Sequence, residues 1–373
     1  MQYNLILASI GNFVETHKVY RILDANLNRS REALRVLEDF VRFNISNKAL
    51  TAKLKTLRHR LSRFFIAQEK KLLSFRDAIQ DVGKDLDKGN KRTRSLKDVI
   101  TANFKRLEES LRSIEECSRT FDVSLSNNTR HLRFDAYTLE KEILLSFMKA
   151  EKLRLAQLYV LLDPNVTSDA LPDVAKKSID GGADILQLRA KELNDHSLFA
   201  LATKIKAISS QSGRLFIIND RVDIAQAVDA DGVHLGKDDL PIRVARKILG
   251  DDKIVGGTSH SLNEANYLAK EGADYISVGP MFPSNTKPNI KPFGFSYLKQ
   301  ALKEIEIPVF AIGGITSENV EKITNAACQR VAVCAGVILQ DDIKLAAEKI
   351  KARIPKPAKM GLIEKNSRVI SRH

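Results

Sequence analysis

The 373-residue chain has no tryptophan, three cysteines and ten prolines. Cys117, Cys328 and Cys334 form neither a CxxC pair nor a metal-ligand spacing. This excludes a disulfide framework or a zinc ribbon, and so sparse and odd a count points to a reducing compartment, the cytoplasm. No apolar run approaches the ~20 residues of a membrane span. Near the start, Leu5-Ile6-Leu7-Ala8 has no basic leader and is too short for a secretory core, so residues 1–18 read as a frayed N-terminal extension. Between residues 19 and 148 glycine occurs only as Gly83 and Gly89, which mark one loop, and no Gly-rich nucleotide loop is present. What is plentiful is positive charge. Lys plus Arg number 60 against 46 Asp plus Glu, a net +14. That balance admits nucleic acid, an anionic membrane or phosphorylated small molecules as partners, and composition does not choose among them.

Two rhythms divide the chain. From residue 19 to about residue 152 the spacing predicts helix. Leu50, Leu54, Leu57 and Leu61 recur at helical period, and Ser95 is a candidate N-cap ahead of Leu96, Ile100, Phe104, Leu107, Leu111 and Ile114. Beyond residue 155, short apolar runs alternate with amphipathic stretches. The runs are 158–162, 185–189, 215–219, 232–235, 254–258, 275–278, 309–312 and 330–334. Continuous apolar runs suit parallel strands covered on both faces. Eight βα units in about 200 residues fit a TIM barrel, with an open doubly wound sheet as the alternative. The expected layout is an α/β protein: extension 1–18, all-α helical domain 19–148, (β/α)8 barrel 149–353 and disordered basic tail 354–373.

In such a barrel the chemistry lies at the C-terminal strand ends. The second run ends Gln187-Leu188-Arg189-Ala190-Lys191, and a period of two puts Gln187, Arg189 and Lys191 on one side. Arginine offers a planar fork to phosphate oxygens and lysine a mobile point charge; a structural ion-pair cluster would use the same residues. The third run ends Asn219-Asp220-Arg221, and the fourth leads through His234 to Asp239. Carboxylates at neighbouring strand ends can share Mg2+ with substrate phosphates, although either acid alone reads equally as a helix cap and His234 as a packed histidine. Thr258, Ser259 and the loop Ser284-Asn285-Thr286-Lys287 add hydroxyls, an amide and a cation, and Gly313-Gly314 lets backbone approach a phosphate. Together these ends imply a site for two anionic groups and one divalent cation. The residues alone reach phosphate-dependent transfer and stop there.

The helical part carries an internal repeat. Asn26 matches Asn103, Arg29 matches Arg106, Glu32 matches Glu109, Glu38 matches Glu115 and Arg42 matches Arg119, all at one offset. Two copies of one unit, packed about a pseudo-twofold axis, would make a polar pocket from Asn26, Arg29, Glu38, Asn103, Arg106 and Glu115. Two ordinary charged helices with i,i+3 and i,i+4 pairs are the plainer reading. RNA binding is disfavoured by the interleaved glutamates and the lack of aromatic platforms.

The stretches QLRAK, INDRVD, DGVHLGKDDLP, GADYISVGPMFPSNTK and PVFAIGGI resemble, in content and order, the thiamine phosphate synthase family from about Leu158 to Ile350. The resemblance implies a transferase that joins hydroxymethylpyrimidine diphosphate to hydroxyethylthiazole phosphate, giving thiamine phosphate and diphosphate. It implies that Gln187, Leu188, Arg189, Ala190, Lys191, Asn219, His234, Thr258 and Lys287 hold the pyrimidine diphosphate. It places Mg2+ on Asp220 and Asp239, and the thiazole phosphate on Ser284, Asn285, Thr286, Gly314, Cys334 and Ala335. The partners implied are phosphorylated small molecules, with no nucleic acid and no membrane, and a homo-oligomer stays open. Three positions depart from the family: Thr258 stands for a serine, Lys237 for a glutamine, and Cys334-Ala335 for a pair ending in serine. The competing readings are a related thiazole tautomerase and a catalytically silent barrel scaffold. RILDANLNRSREALRVLEDFVRF, LRHRL and RDAIQDVG resemble a domain fused to some of these synthases, proposed to act on the pyrimidine phosphate precursor.

Overall fold

The computed structural model describes residues 2–45, 47–76, 95–283 and 292–356. The chain divides into two compact units, Met1–Ala150 and Glu151–His373. Among the described residues, no helix is long and apolar enough to cross a membrane.

The first unit is helical: α1 (Gln2–Phe40), a π-helical turn (Val41–Ile45), α2 (Lys48–Phe64), α3 (Glu69–Ser74), α4 (Leu96–Ser118) and α5 (Val123–Leu155). Residues 2–18, expected as an extension, are helical and continue into α1, where the lone Gly11 costs a helix only about 1 kcal/mol. Ser95 caps α4 as expected, and Asp98 completes a capping box by accepting from the Ser95 N–H. The core takes Leu23, Leu27, Leu34 and Leu37 from α1, Leu50 to Leu61 at helical spacing from α2, and Ile100, Phe104, Leu107, Leu111 and Ile114 from α4. α1 packs closely along α4, where Ala33, Ser30 and Ser110 are small enough to permit it. The Tyr20 ring meets Phe121, just past the end of α4, so the two helices run antiparallel.

The repeat goes further than the sequence reading found. Glu38 is buried and accepts from Arg58 Nε at 2.8 Å. Its counterpart Glu115 is buried and accepts from Arg133 Nε at 2.9 Å. Asn47 caps α2 through the Leu50 N–H, and Asp122 caps α5 through the Leu125 N–H. These second-helix pairs sit at an offset two residues shorter than the pairs before them, so the first copy is longer between Glu38 and Asn47, the stretch that also holds the π-helical turn.

The second unit is a closed barrel of parallel strands in sequence order: β1 (Leu158–Leu162), β2 (Ile185–Leu188), β3 (Leu215–Asn219), β4 (Gly232–Leu235), β5 (Ile254–Ser259), β6 (Tyr275–Val278), β7 (Val309–Ile312) and β8 (Val331–Val333). Around it lie α6 (Leu171–Asp180), α7 (Asp195–Gln211), α8 (Val222–Ala227), α9 (Ile242–Leu249), α10 (Leu262–Lys270), α11 (Phe295–Glu304), α12 (Val320–Thr324), α13 (Ala335–Ile338) and α14 (Ile343–Ala352). Period-two alternation separates two apolar layers. Leu158, Val160, Leu186, Leu188, Phe216 and Val233 face the helices. Tyr159, Leu161, Ile185, Ile217, Tyr275, Phe310 and Ala332 fill the interior. Gly256 is required there, because a Cβ at that position would lie 2.1 Å from Tyr275 Cζ. The expected tail also needs correction at its first residues. Ile354 is buried, and Gln157 Nε2 donates to the Pro355 carbonyl at 2.6 Å, so the chain remains attached to the barrel past α14. Residues 357–373 lie outside the described residues.

Candidate active site

The pleat of β2 carries Gln187 into the barrel interior and places Arg189 and Lys191 at the mouth beyond it. Gln187 is buried and donates to Tyr159 Oη at 2.9 Å. Arg189 is ion-paired through Nη1 with Asp163, a buried carboxylate just past the end of β1. Lys191 Nζ lies 2.7 Å from Asp220 Oδ2. Leu188 is not at the mouth: its side chain is buried among the strands and helices, and Ala190 is buried beside it, so these two would offer a ligand only backbone.

β3 ends at Asn219, and Asp220 follows in a left-handed conformation, φ 62°. Outside glycine that region favours Asp and Asn. The Asp220 N–H donates to the His234 carbonyl at 2.9 Å, which ties the turn to β4. Asp239, in the loop after β4, accepts from the Gly236 N–H at 2.6 Å. Burial, and then a hydrogen bond to Asp220, push the Asp239 carboxyl up from its ordinary range. The two carboxylates therefore share one small space with Lys191 beside them. Among the described residues no three His, Cys, Asp or Glu side chains gather as a cation site. A pair of carboxylates open to the mouth suits Mg2+, which keeps several waters and takes its other oxygens from substrate phosphates. A cleft of about 220 Å³ beside them is lined by Ala190, Lys191, Asn219, Asp220 and Arg221.

His234 is buried on β4, with Nδ1 3.0 Å from Tyr275 Oη and Nε2 2.8 Å from Thr258 Oγ1. On β5 the alternation separates the two hydroxyls. Thr258 points inward to His234, whereas Ser259 is turned outward, 2.6 Å from Tyr297 Oη and donating to the Ser261 carbonyl at 2.8 Å.

The turns after β6, β7 and β8 meet at one edge of the mouth. Phe282 N–H donates to Gly313 O at 3.0 Å. Gly314 has φ 65°, and a Cβ there would lie 2.4 Å from Pro283 O. A Cβ on Gly336 would lie 2.3 Å from Ile315 O. Cys334 precedes the four-residue α13, and burial, then the nearby Asp163 carboxylate, push its thiol up to about 12. It is no nucleophile at neutral pH. Ser284, Asn285, Thr286 and Lys287 lie outside the described residues; the described chain leads into them at Pro283, against Gly314.

Two groups escaped the sequence reading. Asp163 follows β1 as a single acid without a motif, and its partner Arg189 stands 26 residues away. Tyr159 and Tyr275 read as apolar members of buried strands, yet each places its hydroxyl beside His234 or Gln187.

In the helical unit the six residues singled out by the repeat do not form one pocket. Glu38 and Glu115 are engaged in the buried ion pairs. Asn26 and Asn103 donate to the carbonyls of Ile22 and Val99, one turn back in their own helices. A polar cleft of about 330 Å³ does contain Asn26 and Arg29 of α1, with Arg106, Glu109, Ser110 and Ser113 of α4. Arg106 touches Asn103 Oδ1 at 3.2 Å, and Arg29 forms no ion pair among the described residues.

Comparisons with known proteins agree along most of the chain. Residues 158–337 match the family model described as thiamine monophosphate synthase, and residues 21–142 match the ThiD2 family model. A thiamine-phosphate synthase of Thermosynechococcus vestitus is 39% identical over 91% of this chain and 96% of its own length. One of Nostoc sp. is 37% identical over 88% of this chain and 92% of its own. Among solved structures, a thiamine phosphate pyrophosphorylase from Pyrococcus furiosus aligns with 55% of this chain and 96% of its own, at 32% identity and a TM-score of 0.50. With two family models in order and such relatives matched almost end to end, the chain belongs to the thiamine-phosphate synthase family, in the form that carries a helical unit ahead of the barrel.

Proposed function

We propose that the barrel mouth condenses hydroxymethylpyrimidine diphosphate with hydroxyethylthiazole phosphate to give thiamine phosphate and diphosphate. The observation that carries the reading is the meeting of Arg189, Lys191, Asp220 and Asp239 at the ends of β2 to β4. A scaffold or a tautomerase has no use for a carboxylate pair set among cations. Arg189 and Lys191 would bind the diphosphate oxygens, with Asn219 alongside, and Lys287 would add a further cation. Asp220 and Asp239 would hold Mg2+, which when bound supplies charge neutralisation for the departing diphosphate. Mg2+ at Asp220 would compete with Lys191 for that carboxylate, 2.7 Å from the lysine here, and leave the lysine to the substrate. Asp163 keeps the Arg189 fork in place before the substrate arrives, a preorganised anion receptor. Gln187, His234 and Thr258 would line the pyrimidine. The turns at Gly314 and Cys334-Ala335, with Ser284, Asn285 and Thr286, would take the thiazole phosphate. The C–O bond to the diphosphate breaks and the thiazole nitrogen forms the new C–N bond; positions and fields suffice, and no protein nucleophile is required. Incubation of the full chain with both precursors and Mg2+ is expected to yield thiamine phosphate and one equivalent of diphosphate. No product, with neither precursor bound, would leave the scaffold reading in its place.

In the helical unit, the cleft that holds Arg29 and Arg106 is suited to a phosphorylated small molecule. Each copy of the repeat supplies one of the two arginines, and neither has a carboxylate partner among the described residues. With the barrel site weakened by Arg189→Ala, the pyrimidine monophosphate is expected to bind the full chain still. The further substitutions Arg29→Ala and Arg106→Ala are each expected to weaken that binding about tenfold or more, as titration calorimetry would show. Unchanged binding in both would remove the cleft from consideration.

A further inference from the structure

A single line of polar side chains crosses the apolar interior of the barrel. It runs from Gln187 Nε2 to Tyr159 Oη at 2.9 Å, and on to Tyr275 Oη at 2.9 Å. Tyr275 Oη lies 3.0 Å from His234 Nδ1, and His234 Nε2 lies 2.8 Å from Thr258 Oγ1. The five residues come from β2, β1, β6, β4 and β5. The two tyrosine rings pack against each other and against Phe310, and the His234 ring stacks on Tyr275 at 24°. Burial pushes both phenols up, so each keeps its proton.

With Gln187 Nε2 turned to Tyr159 Oη, counting hydrogens gives the line a direction. A phenol has one hydrogen to donate. Tyr159 Oη already accepts from the Gln187 amide, so its own hydrogen goes to Tyr275 Oη. Tyr275 in turn donates to His234 Nδ1. A neutral imidazole then carries its hydrogen on Nε2, which donates to Thr258 Oγ1. With the opposite direction, the Tyr159 hydrogen would face the Gln187 NH2 group, with no acceptor. A buried hydroxyl left in that state costs about 1–3 kcal/mol. The outcome at the open end is specific. The Thr258 oxygen is occupied as an acceptor, and its hydrogen is left to donate into the mouth. At the other end, the Gln187 Oε1 is left as an acceptor.

We propose that this line is a polarity relay: it fixes His234 as the neutral Nε2–H tautomer and makes the Thr258 hydroxyl a hydrogen-bond donor to the heteroaromatic substrate. Tyr159 and Tyr275 are positioning residues, and Thr258 determines specificity by demanding an acceptor on the substrate edge, such as an unprotonated ring nitrogen. The proposal rests on reading the mouth as the pyrimidine site, but its central claim is testable without substrate. Because the β5 alternation turns Thr258 inward and Ser259 outward, Thr258 is the hydroxyl at the end of the line.

The first measurement is nitrogen-15 NMR of the histidine-labelled full chain, free of ligand. Wild type is expected to show His234 with a pyridine-type Nδ1 and a pyrrole-type Nε2. Tyr275→Phe removes the hydrogen that Nδ1 accepts and is expected to abolish that preference. The second measurement is steady-state turnover. Thr258→Val is expected to raise KM for the pyrimidine diphosphate about tenfold, the scale of one neutral hydrogen bond, with kcat and the KM for the thiazole phosphate little changed. Thr258→Ser, which keeps the hydroxyl, is expected to restore the wild-type KM. A wild-type His234 protonated at Nδ1, or an unaltered tautomer in Tyr275→Phe, would overturn the relay whatever the protein turns over. Equal KM values in Thr258→Val and Thr258→Ser would overturn the donor role of Thr258. If no turnover occurs, the mouth reading fails while the NMR result still decides the relay.

Discussion

Asp220→Asn is expected to lower kcat by about a thousandfold, the scale lost when one essential electrostatic contact to a developing charge is removed. Asparagine is the informative replacement because residue 220 has φ 62°, a region it tolerates as readily as aspartate. Alanine there would add backbone strain of about 1–2 kcal/mol and confuse two effects. The amide keeps the size of the side chain and removes the charge that a divalent cation needs. Lys191, which lies 2.7 Å from the carboxylate, loses its partner as well. Binding of the thiazole phosphate is expected to be unaffected, since the turns proposed for it follow β6 to β8, away from Asp220. Thermal melting is expected to change little, because Asp220 lies past a strand end and supports no part of the core. Turnover within a few-fold of wild type at saturating diphosphate and Mg2+ would remove Asp220 from the cation site.

Arg189→Ala is expected to cut kcat/KM for the pyrimidine diphosphate by roughly two to three orders of magnitude and to leave KM for the thiazole phosphate nearly as it was. Arg189 is also the partner of buried Asp163. Removing the guanidinium strands that carboxylate, and breaking a buried pair costs about 3–5 kcal/mol of stability. The double variant Asp163→Asn, Arg189→Ala relieves the stranded charge. It is expected to regain most of the lost stability and none of the lost activity. Asp163→Asn alone leaves Arg189 present but less firmly held, and a loss of about 10–100-fold is expected, as for other supports of a site. If Asp163→Asn costs as much as Arg189→Ala, the carboxylate itself contacts the substrate and the assignment of a purely supporting role is wrong.

The barrel was legible in the sequence because parallel strands covered on both faces have to be apolar throughout, and runs such as 158–162 and 215–219 coincide with β1 and β3. The ends of β2 and β8 were read one residue too long, since Arg189 and Cys334 belong to the mouth and not to the ladder. The mouth residues of β2 to β4 were legible from charge at strand ends. The interior relay was not, because a tyrosine inside a strand looks the same whether its hydroxyl is idle or hydrogen-bonded. In the helical unit, matching at one fixed offset stopped at Arg119. The register shifts by two residues between Glu38 and Asn47, so the pairs Asn47 with Asp122 and Arg58 with Arg133 became visible only through equivalent contacts. The polar pocket expected from six repeated residues dissolved for a related reason. Periodicity shows that positions correspond, but it does not show whether a repeated carboxylate is already satisfied by an arginine on the next helix.

Gly256 and Tyr275 bind one another's fate. A methyl group at position 256 would meet the tyrosine ring at Cζ and Cε1, 2.1 and 2.2 Å away, so loss of the hydroxyl alone, as in Tyr275→Phe, would not make room for it. Only loss of the ring would, and that opens a void in the centre of the barrel beside Tyr159 and Phe310. Position 256 therefore cannot gain a side chain while an aromatic ring stands at 275. Any lineage that enlarges it must first cross a poorly packed intermediate without that ring, which makes the ring an epistatic lock on position 256.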